Sequence, residues 1–378
     1  MLRSLGFQVS EDPFEYSAIP GRLGTPLCGA AAIFMIAVAG HLGWRGHASG
    51  ALLVLAVGGA IVLGSAWWLA RFGVLGLPWW RERGVNLAAR RRAAGAPEGG
   101  AEPEVEAGTV LGAGAEPDVW LVAHLDSKSQ PLPIAIRALG IMASLAIWVI
   151  SVVVSVLQSG GAPLSGLWPA LAVAGVLAGI PVAASAVGSR SPGALDNASG
   201  VCTVLLAVEE LPSDRSVGVL LTSGEELGLA GARAWARAWA RKSGRGWARA
   251  GLGDGAHAGG VERIEGAAGA TAINVDSVDD AGAVRVIYPR ARPAALLRAL
   301  TLAAGELGVQ ISAGPLPPGL LVDSVALADR GWKVVSLSKG EWQTVARIHT
   351  PRDDLASLRG DGVVQVAALV RRTIAELR

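Results

Sequence analysis

The sequence predicts an α/β protein with a mixed, largely parallel sheet flanked by helices, joined to four transmembrane helices. Two observations predict it. Over the polar part of the chain, short apolar runs of strand type alternate with longer helical patterns, as in sheets built from parallel crossovers. Elsewhere long stretches carry no Asp, Glu, Lys or Arg, and these give the 378 residues a hydrophobic share of 51% and a charged share of 17%, with a mean hydropathy of +0.44. Soluble domains carry about a quarter charged residues and disordered chains are more polar still, so neither class describes the whole chain.

The uncharged stretches set the frame. Residues 23–44 and 46–70 each supply the roughly 20 apolar residues that cross a bilayer core, and 138–189 is long enough for two such helices. A Gly/Pro/Ser break at 158–166 divides the latter into 138–157 and 167–187, so two helical hairpins are expected. Trp44, Trp67, Trp68, Trp79, Trp80 and Trp168 fall near the ends of these runs, where an amphipathic ring suits the headgroup zone. Arg22, Arg71, Arg81, Lys128, Arg137 and Arg190 flank one side of the hairpins, and the opposite loops offer only Arg45. The positive-inside rule then places both hairpins in the cell (inner) membrane, dipping in from the cytoplasm, with the lipid bilayer as partner and the polar parts cytoplasmic. Glu11, Asp12 and Glu15 before the first apolar run do not fit a signal peptide. The expected organisation is an N-terminal tail (1–22), a first hairpin (23–70), a polar domain in two parts (71–137 and 190–378), and a second hairpin (138–189) inserted within that domain.

In the polar domain, residues 90–117 are rich in Ala, Gly, Glu and Pro and read as a loop or solvated insert. Strands are expected at 119–123, 217–222, 272–275 and 334–337, and helices at 200–211, 229–241, 293–307 and 363–377. The stretch 229–249 carries Trp235, Trp239 and several arginines, a spacing that suits a helix covering the sheet better than a nucleic-acid or lipid face. The Gly/Ala-rich 245–269 reads as a loop, with His257 in solvent. A net charge of +2 supplies no basic footprint for nucleic acid. Cys28 and Cys202 suffice for neither a disulfide framework nor a Cys-rich zinc site, so a metal would have to be held by histidine and carboxylate.

Such residues stand where the strands end. In open α/β sheets ligands bind beyond the carboxyl ends of the strands. The first strand delivers His124 and Asp126, the second Glu225 and Glu226, and the third Asp276. Between them lies the turn-rich GALDNASG around Asp196, and IHTPRDD around His349 comes near the end. Each has an ordinary structural reading alone: an Asp before a helix is usually a cap, a Glu pair a solvated face. Their occurrence together and in this order is what carries the inference.

With these motifs (His124-Leu125-Asp126-Ser127, GALDNASG, SGEELGLAGA, Asn274-Val275-Asp276, Asp323-Ser324 and IHTPRDD), the chain resembles the M28 family of zinc aminopeptidases over about residues 82–378, outside the spans. The resemblance implies a zinc-exopeptidase-like fold and a membrane-anchored enzyme that removes N-terminal residues from peptides with a free N-terminus. It implies two Zn²⁺ ions bridged by Asp196, with His124 and Asp276 completing one site and Glu226 and His349 the other. Glu225 takes the place of the general base, and Asp126 that of the residue fixing the His124 tautomer. Two zinc ions about 3.5 to 4 Å apart can share a water, lower its pKa and polarise the scissile carbonyl. The interval from His124 to Asp196 is much longer than the family's, and residues 138–189 are the surplus. This puts the site near the bilayer and predicts that the spans pack as a four-helix unit beneath the sheet. Two alternatives stay open on the same frame: a glutaminyl-cyclase-like acyltransferase with one zinc, and a non-catalytic membrane scaffold.

Overall fold

The computed structural model describes residues 1–91, 117–212, 215–242, 270–317 and 319–377. Nearly all of the stretch 90–117, and the loop 245–269 with His257, lie outside the described residues. Eight strands form one sheet: β1 (Gln8–Ser17), β2 (Arg81–Arg91), β3 (Val119–His124), β4 (Val217–Thr222), β5 (Thr271–Val278), β6 (Ala283–Tyr288), β7 (Ile311–Pro315) and β8 (Lys333–Gly340). Their order is β1-β2-β4-β3-β5-β8-β6-β7. The four central strands β4, β3, β5 and β8 run parallel, and β2 and β6 join antiparallel on either side. The central strands are the four expected from the sequence. Their near-continuous apolar character follows from burial on both faces.

Helices cover both faces. On one side α5 (Ser199–Glu209), α7 (Ala294–Leu307) and α10 (Asp361–Glu376) bury Val204, Leu300, Val366 and Val370 against Leu121, Val219 and Ile273. On the other, α6 (Ala230–Lys242) and the short α8 (Asp323–Ala328) enclose a tryptophan cluster. Trp120 meets Trp235 edge-on at 5.4 Å between ring centroids, and Trp239 meets Trp332 at 4.9 Å. Trp235 and Trp239 therefore belong to the core, as a sheet-covering helix requires. A further short helix, α9 (Trp342–Arg347), leads into His349.

Four helices are long and apolar enough to cross a membrane: α1 (Ile19–Trp44), α2 (Ala48–Gly76), α3 (Ile134–Ser159) and α4 (Ser165–Ala183). They pack as one bundle around Met35, Ile36, Leu55, Val154 and Trp168, with their other large apolar side chains, among them Phe34, Leu53, Leu139 and Leu177, facing outward. Small residues permit close approach. A Cβ on Gly29 of α1 would stand 2.4 Å from the Ala183 backbone nitrogen of α4, so no larger residue fits there without separating the helices. Trp168 differs from the expectation of a headgroup-zone ring. It is fully buried and donates from Nε1 to Gln158 Oε1 at 2.6 Å, while Gln158 Nε2 donates to the Gly43 carbonyl at 2.9 Å, tying the far ends of the helices together.

The first 22 residues are not a tail. Residues 8–17 form edge strand β1, in register with β2 from Gln8↔Arg90 to Ser17↔Arg81. Acidic residues and Pro13 on a half-solvated edge gave this strand no apolar run to be recognised by. The hairpin α1–α2 thus interrupts a β-hairpin, and α3–α4 interrupts the crossover after β3. Both emerge from the end of the sheet where β3 and β4 finish, so the bundle adjoins that end instead of lying under a face.

Candidate metal centre

The residues singled out in the sequence converge at this end. His124 is the last residue of β3 and is buried. Asp276 lies in β5 where the pairing with β8 shifts register between Val275 and Val278, a bulge that re-aims its side chain. Asp196 sits in the turn between Gly193 and α5, with a cis peptide to Asn197. Asn197 braces that turn: its Nδ2 donates to the Val275 carbonyl at 3.0 Å, and its Oδ1 accepts from the Gly200 and Ser277 amides, each at 3.1 Å. Gly200 has to be glycine, since a Cβ would come 2.2 Å from Asn197 Oδ1 and 2.6 Å from the Val275 oxygen. Glu225 and Glu226 stand on the turn after β4, and both are buried. His349 follows α9 with φ of 65°, a left-handed conformation uncommon outside glycine and often found at functional sites.

The Asp196 carboxylate is shared between the two histidines. Oδ1 lies 3.2 Å from His124 Nε2 and Oδ2 lies 3.1 Å from His349 Nε2. Asp276 Oδ1 stands 3.6 Å from His124 Nε2, and Glu226 Oε1 stands 3.2 Å from His349 Nε2. Two groups result, His124/Asp196/Asp276 and Asp196/Glu226/His349, each with its ligand-type atoms within 4.8 Å of one another. Imidazole nitrogen with carboxylate oxygen is a donor set that zinc accepts. Glu226 Oε1 is buried and has no well-aligned hydrogen bond, its one close polar neighbour being His349 Nε2 at 3.2 Å, so it retains capacity to bind a cation.

The electrostatics agree with that reading. Burial works against a charged His124, yet Glu225, Asp196 and Asp276 around it push the imidazole well above the ordinary histidine range. Burial, reinforced by Glu226, Asp276 and Asp323, pushes Glu225 well above the ordinary carboxylate range despite the opposing His124. Asp323, fully buried, is pushed up to about 7 mainly by burial, with Asp126 and Asp276 adding to it. So many buried carboxylates with few cations among the described residues form a site that gains from added positive charge.

Asp126 is placed differently from the expectation. His124 Nδ1 meets the Asp126 backbone oxygen at 2.9 Å, while the nearer carboxylate oxygen is 3.9 Å away. The backbone carbonyl thus fixes the imidazole. The carboxylate instead accepts the Glu225 amide at 3.0 Å and the Glu226 amide at 3.1 Å, holding the glutamate turn.

Two further residues escaped the sequence reading. Lys128 had the look of a basic flank of the second hairpin, but its Nζ lies 2.5 Å from Glu226 Oε2 inside the site. Asp353, within IHTPRDD but given no role, is fully buried and accepts the Leu195 amide at 2.5 Å and the Asp196 amide at 3.2 Å, pinning the bridging aspartate. The repeated acid of the IHTPRDD motif was the available signal for Asp353. Lys128 had none, because its role depends on a turn distant in sequence. The site also rests on the bundle: Gly21 of α1 packs on Leu227, and Gly228 packs on Val74 of α2.

The model of peptidase family M28 matches residues 172–374. No curated protein matches the sequence. Among solved structures, BSAP, a zinc aminopeptidase from Bacillus subtilis, is 16% identical, with a TM-score of 0.44 and coverage of 78% of this chain and 50% of that one. The aminopeptidase from Aneurinibacillus sp. strain AM-1 is 14% identical, with a TM-score of 0.44 and coverage of 80% and 50%. An Acidobacteriales bacterium glutaminyl cyclase is 12% identical, with a TM-score of 0.38 and coverage of 79% and 75%. The chain thus spans about half the length of the two aminopeptidases.

Proposed function

Because the chain belongs to peptidase family M28, we propose that it is a membrane-anchored zinc aminopeptidase with its active site at the junction of sheet and bundle. The observation that carries this is the Asp196 carboxylate, one oxygen to each histidine, at the centre of two ligand groups. His124, Asp196 and Asp276 would hold one zinc, and Asp196, Glu226 and His349 a second. Zinc supplies an acidified water and polarises the peptide carbonyl.

The remaining work falls to the chain's own residues. Glu225, buried and with its acidity reduced, takes a proton from the attacking water and passes it to the leaving amine. Lys128 pairs with one oxygen of Glu226 and leaves the other facing His349. Asp126 and Asp353 hold the two turns that present these groups. The substrate is a peptide with a free N-terminus. Helices α1–α4 cross the bilayer, with the catalytic domain, 71–137 and 190–378 together with strand β1, on the basic and hence cytoplasmic side.

The test is Glu225→Gln in the full-length protein. About two zinc per chain should remain by elemental analysis, while release of leucine from leucine 4-nitroanilide falls at least about 100-fold. Turnover at the wild-type rate would remove Glu225 from the proposed role. A C-terminal reporter active only in the periplasm would reverse the orientation.

A further inference from the structure

A cavity of about 530 Å³ runs from the candidate metal centre into the four-helix bundle. At its polar end stand Lys128, Gln130, Glu226 and Arg137 near the start of α3, and the rest of its wall is mostly apolar and comes from the bundle, among it Ala32 of α1, Val62 of α2 and Leu145 of α3. Its size falls in the range of sites that take small organic ligands. Glu226 belongs to both cavity and candidate metal group, so whatever fills the cavity meets the reacting centre. Gln130 Oε1 and Ser144 Oγ, whose residues line the cavity, are buried without hydrogen-bond partners among the described residues, so the wall offers unpaired polar atoms beside its apolar surface. Leu63 and Ile141 line the cavity and are also exposed, which puts an opening between α2 and α3 on the outer side of the bundle.

From this continuity we propose that the cavity seats a hydrocarbon chain of the substrate, so that the amide cleaved is one that carries a long alkyl chain and enters from the bilayer. The inference rests on the hydrolase reading above and specifies its substrate class. A peptide of ordinary polar side chains would leave the apolar walls facing groups that need water, whereas an alkyl chain matches them. The reaction is a balanced hydrolysis: water oxygen bonds to the carbonyl carbon, the carbon–nitrogen bond breaks, and the water proton reaches the leaving nitrogen through Glu225. The products are a carboxylic acid and an amine, with no change of oxidation state.

The experiment uses the full-length zinc-loaded protein in lipid nanodiscs with two substrate series. One is leucine N-alkylamides of two to fourteen chain carbons, and the other is anilides of 2-amino acids with side chains of the same lengths. In at least one series kcat/KM should rise with chain length, by up to about fourfold per methylene, before levelling off. Ala66→Phe, which narrows the cavity from α2 and belongs to neither ligand group, should abolish the rise and leave the two-carbon substrate unchanged. A rise that survives Ala66→Phe reports partition into lipid alone and overturns the proposal. So does a flat response in both series, although hydrolysis of the short substrates would then still uphold the peptidase reading. Should no amide be hydrolysed, that reading fails and photolabelling decides the cavity separately, using a leucine tetradecylamide with a diazirine at the chain end. Labels on Val62 and Leu145 support a seated chain, and labels confined to the outward-facing Phe34, Leu53 and Leu139 overturn it.

Discussion

Asp126→Asn separates two ways in which this residue could serve the site. The carboxylate accepts two amides, from Glu225 at 3.0 Å and Glu226 at 3.1 Å. Asparagine keeps one acceptor oxygen and turns an NH₂ toward the second amide, so one bond to a charged group is lost and a buried N–H is left unpaired. Such a loss costs about 1.5–3 kcal/mol, and because the same turn carries both glutamates it acts on zinc retention and on turnover together. If the full cost appears in the transition state, kcat/KM falls about 10- to 150-fold. The His124 tautomer is unaffected, since its Nδ1 partner is the Asp126 backbone oxygen, which the substitution retains. The assay is zinc content by elemental analysis beside hydrolysis of leucine 4-nitroanilide. A variant with full zinc content and wild-type kcat/KM would refute the claim that the carboxylate holds the glutamate turn. Normal zinc affinity at the Glu226 site with disturbed binding at His124 would restore the imidazole-orienting role.

Three other outcomes follow from the same geometry. Removing zinc with a chelator should lower the melting temperature, because the buried carboxylates then lack their counter-charge; zinc at about 100 times its dissociation constant stabilises by about 2.7 kcal/mol per site, and an unchanged melting curve would contradict the metal assignment. Gly29→Leu forces apart α1 and α4 where a Cβ already comes 2.4 Å from the Ala183 nitrogen, at a cost of about 1–3 kcal/mol, read as lower resistance of the bundle to thermal unfolding in detergent. Asp280 accepts the Arg359, Gly360 and Gly362 amides at the start of α10, and although burial acts to raise it, these bonds and the Arg359 charge hold it below the usual carboxylate range. A carboxyl lowered by folding contributes stability that is present above its unfolded pKa and lost as pH falls through the folded value. Asp280→Ala should therefore cost about 0.5–2 kcal/mol near neutrality, and the difference from wild type should shrink as pH drops below about 3.9; a difference that stays constant into acid would refute the assignment.

The central strands were legible because burial on both faces makes each a continuous apolar run, and their ends delivered His124, Glu225, Glu226 and Asp276 in order. The outer strands were not. β1 carries Glu11, Asp12, Pro13 and Glu15, β2 has Arg81, Arg83, Arg90 and Arg91 at its two ends, and β7 is five residues long; such outer strands are partly solvated and have no apolar period to read. Ligand-type residues announce themselves by chemical type, whereas a supporting residue is defined by what it touches. Hence Asp196 and His349 stood out and Asp353 and Lys128 did not. Asp126 was noticed for its spacing from His124, but spacing could not say whether backbone or side chain would meet the imidazole. The burial of Trp168 was not legible for a similar reason, since its hydrogen-bond partner Gln158 and the bundle core it packs in are brought to it only by the fold.

The pairing of β1 with β2 has a consequence for how the protein is made. β1 leaves the ribosome before α1 and α2, and β2 only after them, so the two strands meet only when both intervening helices are in place. With α1 and α2 inserted as a complete hairpin, the strands emerge together and close the edge of the sheet over β4. Insertion of one helix without the other would strand β1 and β2 on opposite sides of the bilayer, leaving the β4 edge bare and Tyr16 of β1 absent from beneath the glutamate turn. If α1 and α2 cross the bilayer as proposed, a wrongly threaded chain would lack the β1–β2 edge of the sheet.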